Sequence, residues 1–372
     1  RDRAKTGHPT LIGLVHTFGL DFAFALVVAP VAAKDSVSPE GPPPADSVFE
    51  LEGVSVSVES RLPGDARTRA VTVLDRAALD ALPATTVLEA LRWGTGVDLL
   101  TRSPAQADLA VRGGTFEQVL VLVDGVPASD AQTGHFDLNL TVPLDGVERI
   151  EVLRGAGSSV HGADAMGGIV NVVTRSPGAR PAGRVRLEGG SFGRAAGSLR
   201  LDGGFGEWRA TVSSRMDRSD GHRAGVDHDV RLGQLRLVGP LAGGRLDVQA
   251  GAAARDFGAD GFYAPFPSYE ETRARTISAR WARPLGAGGA SGASGAVDVV
   301  VHDRAHDDDF VLRRGDPAFY RNVHTSRQSG VDVTLRRASG AWGWLVGAGV
   351  GRDDLESTNL GDRSADRGAV FG

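Results

Sequence analysis

From about residue 183 onward the chain is written almost entirely in a period of two. Val185 and Leu187 alternate with Arg184, Arg186 and Glu188, and Val297, Val299 and Val301 with Asp298 and His302. Val331, Val333 and Leu335 alternate with Asp332, Thr334 and Arg336, and the pattern recurs over 208–213, 246–250, 277–281 and 342–350. A period of two puts successive side chains on opposite faces of an extended strand, so each segment has one apolar face and one that is often charged. No helical period interrupts the run. A soluble sandwich also alternates, so the connections have to decide. Those at 203–207, 239–244, 284–295 and 338–341 are bland and made of small residues; those at 217–228, 257–272 and 307–319 carry Asp, Arg, Pro and aromatics. Bland and elaborate connections take turns along the chain, a two-ended asymmetry that favours a transmembrane barrel over a sandwich.

The preceding part reads differently. Over 70–175 a strand at 70–74 is followed by a helix at 76–82, stopped before Pro83. A second helix is opened by a Thr86–Glu89 capping box and ends near Gly94. Strands are expected at 108–112, 119–124 and 147–153, with a turn at Asp124-Gly125. Gly155, Gly157, Gly162, Gly167 and Gly168 then crowd one segment. A phosphate loop is disfavoured there: no Lys follows a glycine, Val160 stands where a dinucleotide motif needs its third glycine, and a strand rather than a helix follows Gly168. Close approach of backbones and a plain surface loop remain the two readings of these glycines.

At the N-terminus, residues 11–33 follow Arg1, Arg3 and Lys5 and read as a secretory signal peptide, though His16 and Asp21 interrupt it. No run reaches the roughly 18 to 20 apolar residues of a spanning helix. A Pro-rich linker occupies 34–47, and 48–60 alternates at Val54, Val56 and Val58. That segment is either an ordinary first strand or an extended peptide offered to the sheet edge of a partner. The domain boundaries expected are therefore 1–33, 34–60, 61–178 and 179–372. The 372 residues carry a net charge of −5 and no cysteine, which gives no support for nucleic-acid binding and removes disulfides, thiolate metal sites and cysteine nucleophiles. No Ser/His/Asp or paired-carboxylate constellation is recognisable, so no catalytic residue and no cofactor is assigned. His302 and His306 share a strand face but stand roughly 13 Å apart, too far for a common metal.

"VLEALRWGTGVDL", "LAVRGGTFEQVLVLVDGVP" and "VERIEVLRGAGSSVHGADAMGGIVNVVTR" resemble the plug signatures of TonB-dependent outer-membrane receptors across about 120 residues. Ala156 and His161 depart from the commonest form, which has Pro and Tyr there. The resemblance implies a membrane β-barrel, 22-stranded in the family, with an N-terminal α/β plug domain inside the lumen. About nine strands are counted here, so the chain looks truncated at its C-terminus, by roughly 250 to 350 residues at about 20 to 25 per strand and turn. It gives Arg112, Gly113, Asp124, Gly125, Arg154, Gly155, Gly162, Gly167, Gly168 and Asn171 structural roles in the plug, with Arg112 and Arg154 buried or half-buried against acidic groups.

The family's TonB box is best matched by "ELEGVSVSV": Glu50, Leu51, Glu52, Gly53, Val54, Ser55, Val56, Ser57 and Val58. Its plug apices fall on 102–108 and 128–139, making Arg102, Gln106, Ser129, Gln132 and His135 candidate substrate contacts. Phe262, Tyr263, Phe266 and Tyr269 are either an aromatic surface for a large chelate or a girdle at the membrane boundary. Asp307, Asp308 and Asp309 are either a calcium site or a solvated acidic loop. The function implied is TonB-dependent uptake, in the cell outer membrane, of a ferric siderophore or of cobalamin, with TonB and outer-membrane lipid as partners. A passive porin or adhesin barrel and a soluble periplasmic β-domain are the competing classes.

Overall fold

The computed structural model describes residues 71–93, 95–103, 105–155, 165–262, 264–286, 294–339 and 342–372. The segment 50–58, Gly162 and Tyr263 lie outside the described residues, as does the side chain of Arg102.

The first domain is a small α/β unit. Strand β1 (Val71–Leu74) leads into helices α1 (Arg76–Ala81) and α2 (Val87–Leu91), then a hairpin of β2 (Asp98–Ser103) and β3 (Gln106–Ala110). Four further strands follow: β4 (Val119–Val123), β5 (Val126–Pro127), β6 (Val147–Arg154) and β7 (Gly168–Thr174). Asp75 accepts from the Ala78 amide to start α1. Thr86 accepts from the Glu89 amide at the head of α2, and Glu89 reaches back to the amide of Thr85, one residue earlier than a standard capping box.

The main sheet runs β1-β6-β7-β4-β5. Only β4 and β7 are parallel; the other neighbours are antiparallel. Strand β7 is central and every one of its residues is buried, which explains why "GIVNVVT" does not alternate. Its Val170 and Val172 join Leu79, Leu91, Val121, Ile150 and Val152 in one core. Asp124 and Gly125 both have positive φ, 50° and 80°, the combination a two-residue hairpin turn requires. The close-approach reading of the glycines holds at Gly168, where a Cβ would stand 2.7 Å from the Leu153 carbonyl oxygen.

The second part is an antiparallel meander of ten strands, each paired with the next. They are β8 (Ala182–Gly189), β9 (Ala195–Phe205), β10 (Trp208–Ser219), β11 (His228–Leu241), β12 (Gly244–Gly258), β13 (Tyr269–Leu285), β14 (Ser294–Val311), β15 (Arg321–Ser339), β16 (Trp342–Ser357) and β17 (Arg363–Phe371). One strand more than expected is present because β17, "RSADRGAVF", carries almost no apolar alternation and is recognised by its pairing with β16.

One end carries connections at 206–207, 242–243, 286–293 and 340–341, the first two of two residues each, while the other carries 190–194, 220–227, 259–268, 312–320 and 358–362. Strand β14 runs through Val311, so Asp307–Asp309 are strand residues and not a loop. The outer face changes along each strand. Near the tight turns it shows Ile277, Val301, Val331 and Val346, all exposed, with Trp208, Trp281 and Trp344 at the turn-proximal ends. Nearer the long loops it becomes ion pairs, Arg327–Asp303 at 2.8 Å and Arg231–Asp229 at 2.9 Å among them. An apolar band with an aromatic rim, then a charged belt, is the profile of a wall that crosses a bilayer and rises beyond it. No helix among the described residues is long and apolar enough to cross a membrane.

Candidate functional site

The plug domain is held to the inner face of the wall by side chains from both. Asp130, whose side chain is fully buried, accepts from Arg304 Nη1 at 2.7 Å and from Ser326 Oγ at 2.8 Å, and His306 Nδ1 lies 3.2 Å away. Asp130 is kept in place from its own side by the Gln132 amide, which donates to it at 2.9 Å. Burial alone would raise this carboxyl; the facing His306 and Arg304 and the donated hydrogen bonds more than offset that and lower it below its ordinary value.

Around this pair, Asn139 Nδ2 donates to Thr272 Oγ1 at 3.3 Å and lies 3.2 Å from His306 Nε2, and Phe136 packs on the His306 ring at 4.6 Å. Thr141 and Thr276 hydroxyls meet at 3.0 Å. At the tight-turn side, Gln249 donates to Asp124 and Arg236 to the Thr174 carbonyl, at 2.8 and 2.9 Å. Thr85 of the plug accepts from both Arg194 and Arg215 of the wall, at 3.3 and 3.0 Å.

Above these anchors lies the plug apex. Gln106 is buried and donates to the His135 carbonyl at 3.3 Å. His135 Nδ1 is 2.7 Å from Asp108 and its ring stacks on Phe116 at 4.2 Å. Ser129 and Gln132 are half-buried on the same stretch. The structure therefore brings Gln106 and His135 together and adds Asp108 and Phe116, which the sequence reading did not select.

The aromatic loop divides. Phe262 turns inward onto the fully buried Phe257, with centroids 6.4 Å apart. Phe266 instead meets Phe319 and Arg313 of the 312–320 loop, and the Arg313 guanidinium sits 3.5 Å over the Phe319 ring. Tyr269 is roofed by Arg314 at 4.1 Å, which in turn holds Asp227 at 2.7 Å. The donated Arg314 hydrogen bond is the main reason the Asp227 carboxyl is lowered. Phe266 and Tyr269 thus both pack on the 312–320 loop, while Phe262 packs on Phe257 at the end of β12.

Three expectations are corrected. Asp307, Asp308 and Asp309 cannot converge on one calcium ion, because neighbouring strand residues point to opposite faces. Asp308 is buried inside, whereas Asp309 pairs with Arg321 and Asp307 accepts from Thr325. No cluster of three or more metal-ligating side chains occurs among the described residues. Arg112 is exposed, at φ 52°, where the chain turns into Gly113. Arg154 is half-buried, and its described partner is the Thr72 hydroxyl at 3.1 Å in place of an acid. Asn171 has a structural role: it accepts from the Gly125 amide and donates to Glu151. His302 and His306 have separate surroundings, His302 facing Asp332 at 3.8 Å.

A mixed-sheet domain anchored to the inner face of an antiparallel wall defines a plug-and-barrel protein. Residues 65–169 match the TonB-dependent Receptor Plug Domain family. The chain is 33% identical over 157 residues to the vitamin B12 transporter BtuB of Photobacterium profundum, covering 41% of this chain and 26% of that protein. Its fold resembles the ferripyoverdine receptor of the outer membrane of Pseudomonas aeruginosa (TM-score 0.62, 16% identity, 80% of this chain and 44% of that one). It also resembles the siderophore receptor PirA of the same organism (TM-score 0.63, 19% identity, 81% and 52%). Residues 65–169 thus carry the plug domain of a TonB-dependent receptor. The chain spans about a quarter of the length of the curated relative it matches.

Proposed function

We propose that this protein takes up a scarce, large nutrient across the outer membrane in a TonB-dependent manner, a ferric siderophore being the first candidate. The observation that carries the reading is the plug itself, fastened to the wall by hydrogen bonds and ion pairs that include the buried Asp130–Arg304 pair. A passive pore has no use for a folded domain across its lumen. A plug held by polar contacts is suited to being displaced by a pull from the periplasmic side. The segment 50–58 is the proposed point of that pull, adding a strand to TonB through main-chain hydrogen bonds. Substrate would dock on the apex formed by Gln106, Asp108 and His135, beneath the 259–268 and 312–320 loops. Cobalamin is the second candidate, favoured by the named activity of the BtuB relative.

The test is uptake of labelled cobalamin and of a ferric siderophore panel in cells lacking their own receptors, with and without TonB. Accumulation of either that requires TonB supports the reading and names the substrate. Uptake unchanged without TonB overturns it in favour of a passive pore.

A further inference from the structure

The outer face of the wall carries charge at both edges of its apolar band, and the two edges differ. On the long-loop side four arginines are held by acids: Arg231 by Asp229, Arg273 by Asp256, Arg327 by Asp303 and Arg352 by Asp354, at 2.5 to 3.0 Å. On the tight-turn side the same face ends in Arg283 of β13 and Arg337 of β15, both exposed. Neither has a carboxylate or another hydrogen-bond partner among the described residues. The neighbouring sequence offers none either, because 284–297 and 338–351 contain no charged residue.

Arg337 stands ten positions from Arg327 along β15. That is roughly 33 Å of strand, or about 25 Å along the bilayer normal at a tilt near 40°, the height of the apolar band in such walls. Arg337 therefore sits at the boundary opposite Arg327, level with the polar headgroups. It lies directly across from Trp344 on the same face. Trp281, two residues before Arg283, is fixed by its indole N–H, which donates to the Leu241 carbonyl at 2.9 Å. The Arg283 guanidinium lies over the 242–243 turn, 3.6 to 3.8 Å from where a Cβ on Gly243 would stand, so the turn leaves it uncovered. A cation at this depth is disfavoured in hydrocarbon and stabilised by anionic headgroups.

We propose that Arg283 and Arg337 each hold the phosphate of an acidic glycerophospholipid, its acyl chains lying along the band over Trp281, Val299 and Val333. The unmatched charge selects the acidic class. A zwitterionic headgroup carries its own ammonium beside the phosphate and brings no net charge, whereas an acidic headgroup leaves the phosphate charge to the guanidinium fork. The long-loop boundary, where arginines already face aspartates, has no such requirement. The inference rests on the wall crossing a bilayer and not on the uptake reading.

Native mass spectrometry of the full chain, released from micelles holding equal phosphatidylglycerol and phosphatidylcholine, tests this. The expected result is two retained phosphatidylglycerols, each preferred about five-fold over phosphatidylcholine. Arg283→Gln and Arg337→Gln should each remove one, and Arg283→Lys should keep part of the preference. Both side chains are exposed and unpartnered, so their replacement leaves the fold intact. Arg327→Gln/Arg352→Gln removes the same net charge from the opposite boundary and should leave both lipids bound. Excess glycerol phosphate should displace neither. A preference that survives Arg283→Gln/Arg337→Gln, one lost equally in the opposite-boundary control, or displacement by glycerol phosphate would overturn the assignment. Equal retention of the two lipids by a protein that floats with vesicles would overturn it and leave the bilayer-spanning wall standing, whereas failure to float with any vesicle would overturn both.

Discussion

Asp130 shows how much depends on single polar residues here. Its partners Arg304 and Ser326 lie 174 and 196 positions away in the chain. Nothing in "PASDAQTG" marks this aspartate over its neighbours. The sequence does reveal that inward positions of the strands carry charge, but not which plug residue meets them, because that depends on how two domains dock. Asp130→Asn leaves Arg304 buried without its counter-charge, and breaking a buried pair in this way costs about 3–5 kcal/mol. Chemical denaturation in detergent should show that loss.

The pH dependence follows from the lowered carboxyl of Asp130. A group whose folded value lies below its unfolded one stabilises fully above the unfolded value and stops doing so as pH falls through the folded value. The wild-type advantage over Asp130→Asn should therefore be level from pH 8 down to roughly 4 and shrink below that. An advantage that instead declined between pH 8 and 6 would assign the effect to another group. At Gly168 the sequence leaves close approach and a surface loop open, and the structure selects the first: Gly168→Ala drives a Cβ into the Leu153 carbonyl. The expected cost is about 1–3 kcal/mol, read as a lower unfolding midpoint.

At the scale of elements, alternation located most wall strands because one face meets lipid and the other meets the plug. It faltered at both kinds of strand end. The triplet Asp307–Asp309 resembled a loop, since three acids have no apolar partner in the pattern. Yet β14 continues there, Asp309 bonded to Arg321 and Asp307 to Thr325 on the strand beyond. Above the apolar band the outer face no longer touches hydrocarbon, so the period of two persists in geometry while hydropathy stops reporting it. The band itself gives a sharp prediction. Val301 is exposed on the outer face and lies in register with Ala279 and Val331. Val301→Arg should destabilise the wall in a bilayer by about 2–4 kcal/mol, whereas Asp303→Arg, two residues up the same face and within the charged belt, should cost far less. Equal penalties at the two positions would mean that the boundary lies elsewhere. The aromatic loop stayed ambiguous for a related reason: Phe266 and Tyr269 are paired with arginines of another loop, and no local pattern encodes that.

For the whole molecule, the question is whether the plug must shift against the wall for transport. The chain has no cysteine, so an engineered pair can be introduced without competing thiols. Thr141 of the plug and Thr276 of β13 already touch through their hydroxyls at 3.0 Å, so two cysteine thiols placed there would face each other. Neither belongs to the apex or to the Asp130 pair, so each single variant should transport normally. The double variant Thr141→Cys/Thr276→Cys should cross-link under oxidation. If uptake requires the plug to part from this region, the oxidised protein should bind substrate with unchanged affinity yet accumulate none, and a reductant should restore accumulation. Binding measured on whole cells and uptake measured in parallel separate the two steps. Full uptake through the cross-linked protein would mean that β13 and the 138–144 segment stay together during transport. Any passage would then have to open on the other side of the plug, where Thr85 is held by Arg194 and Arg215.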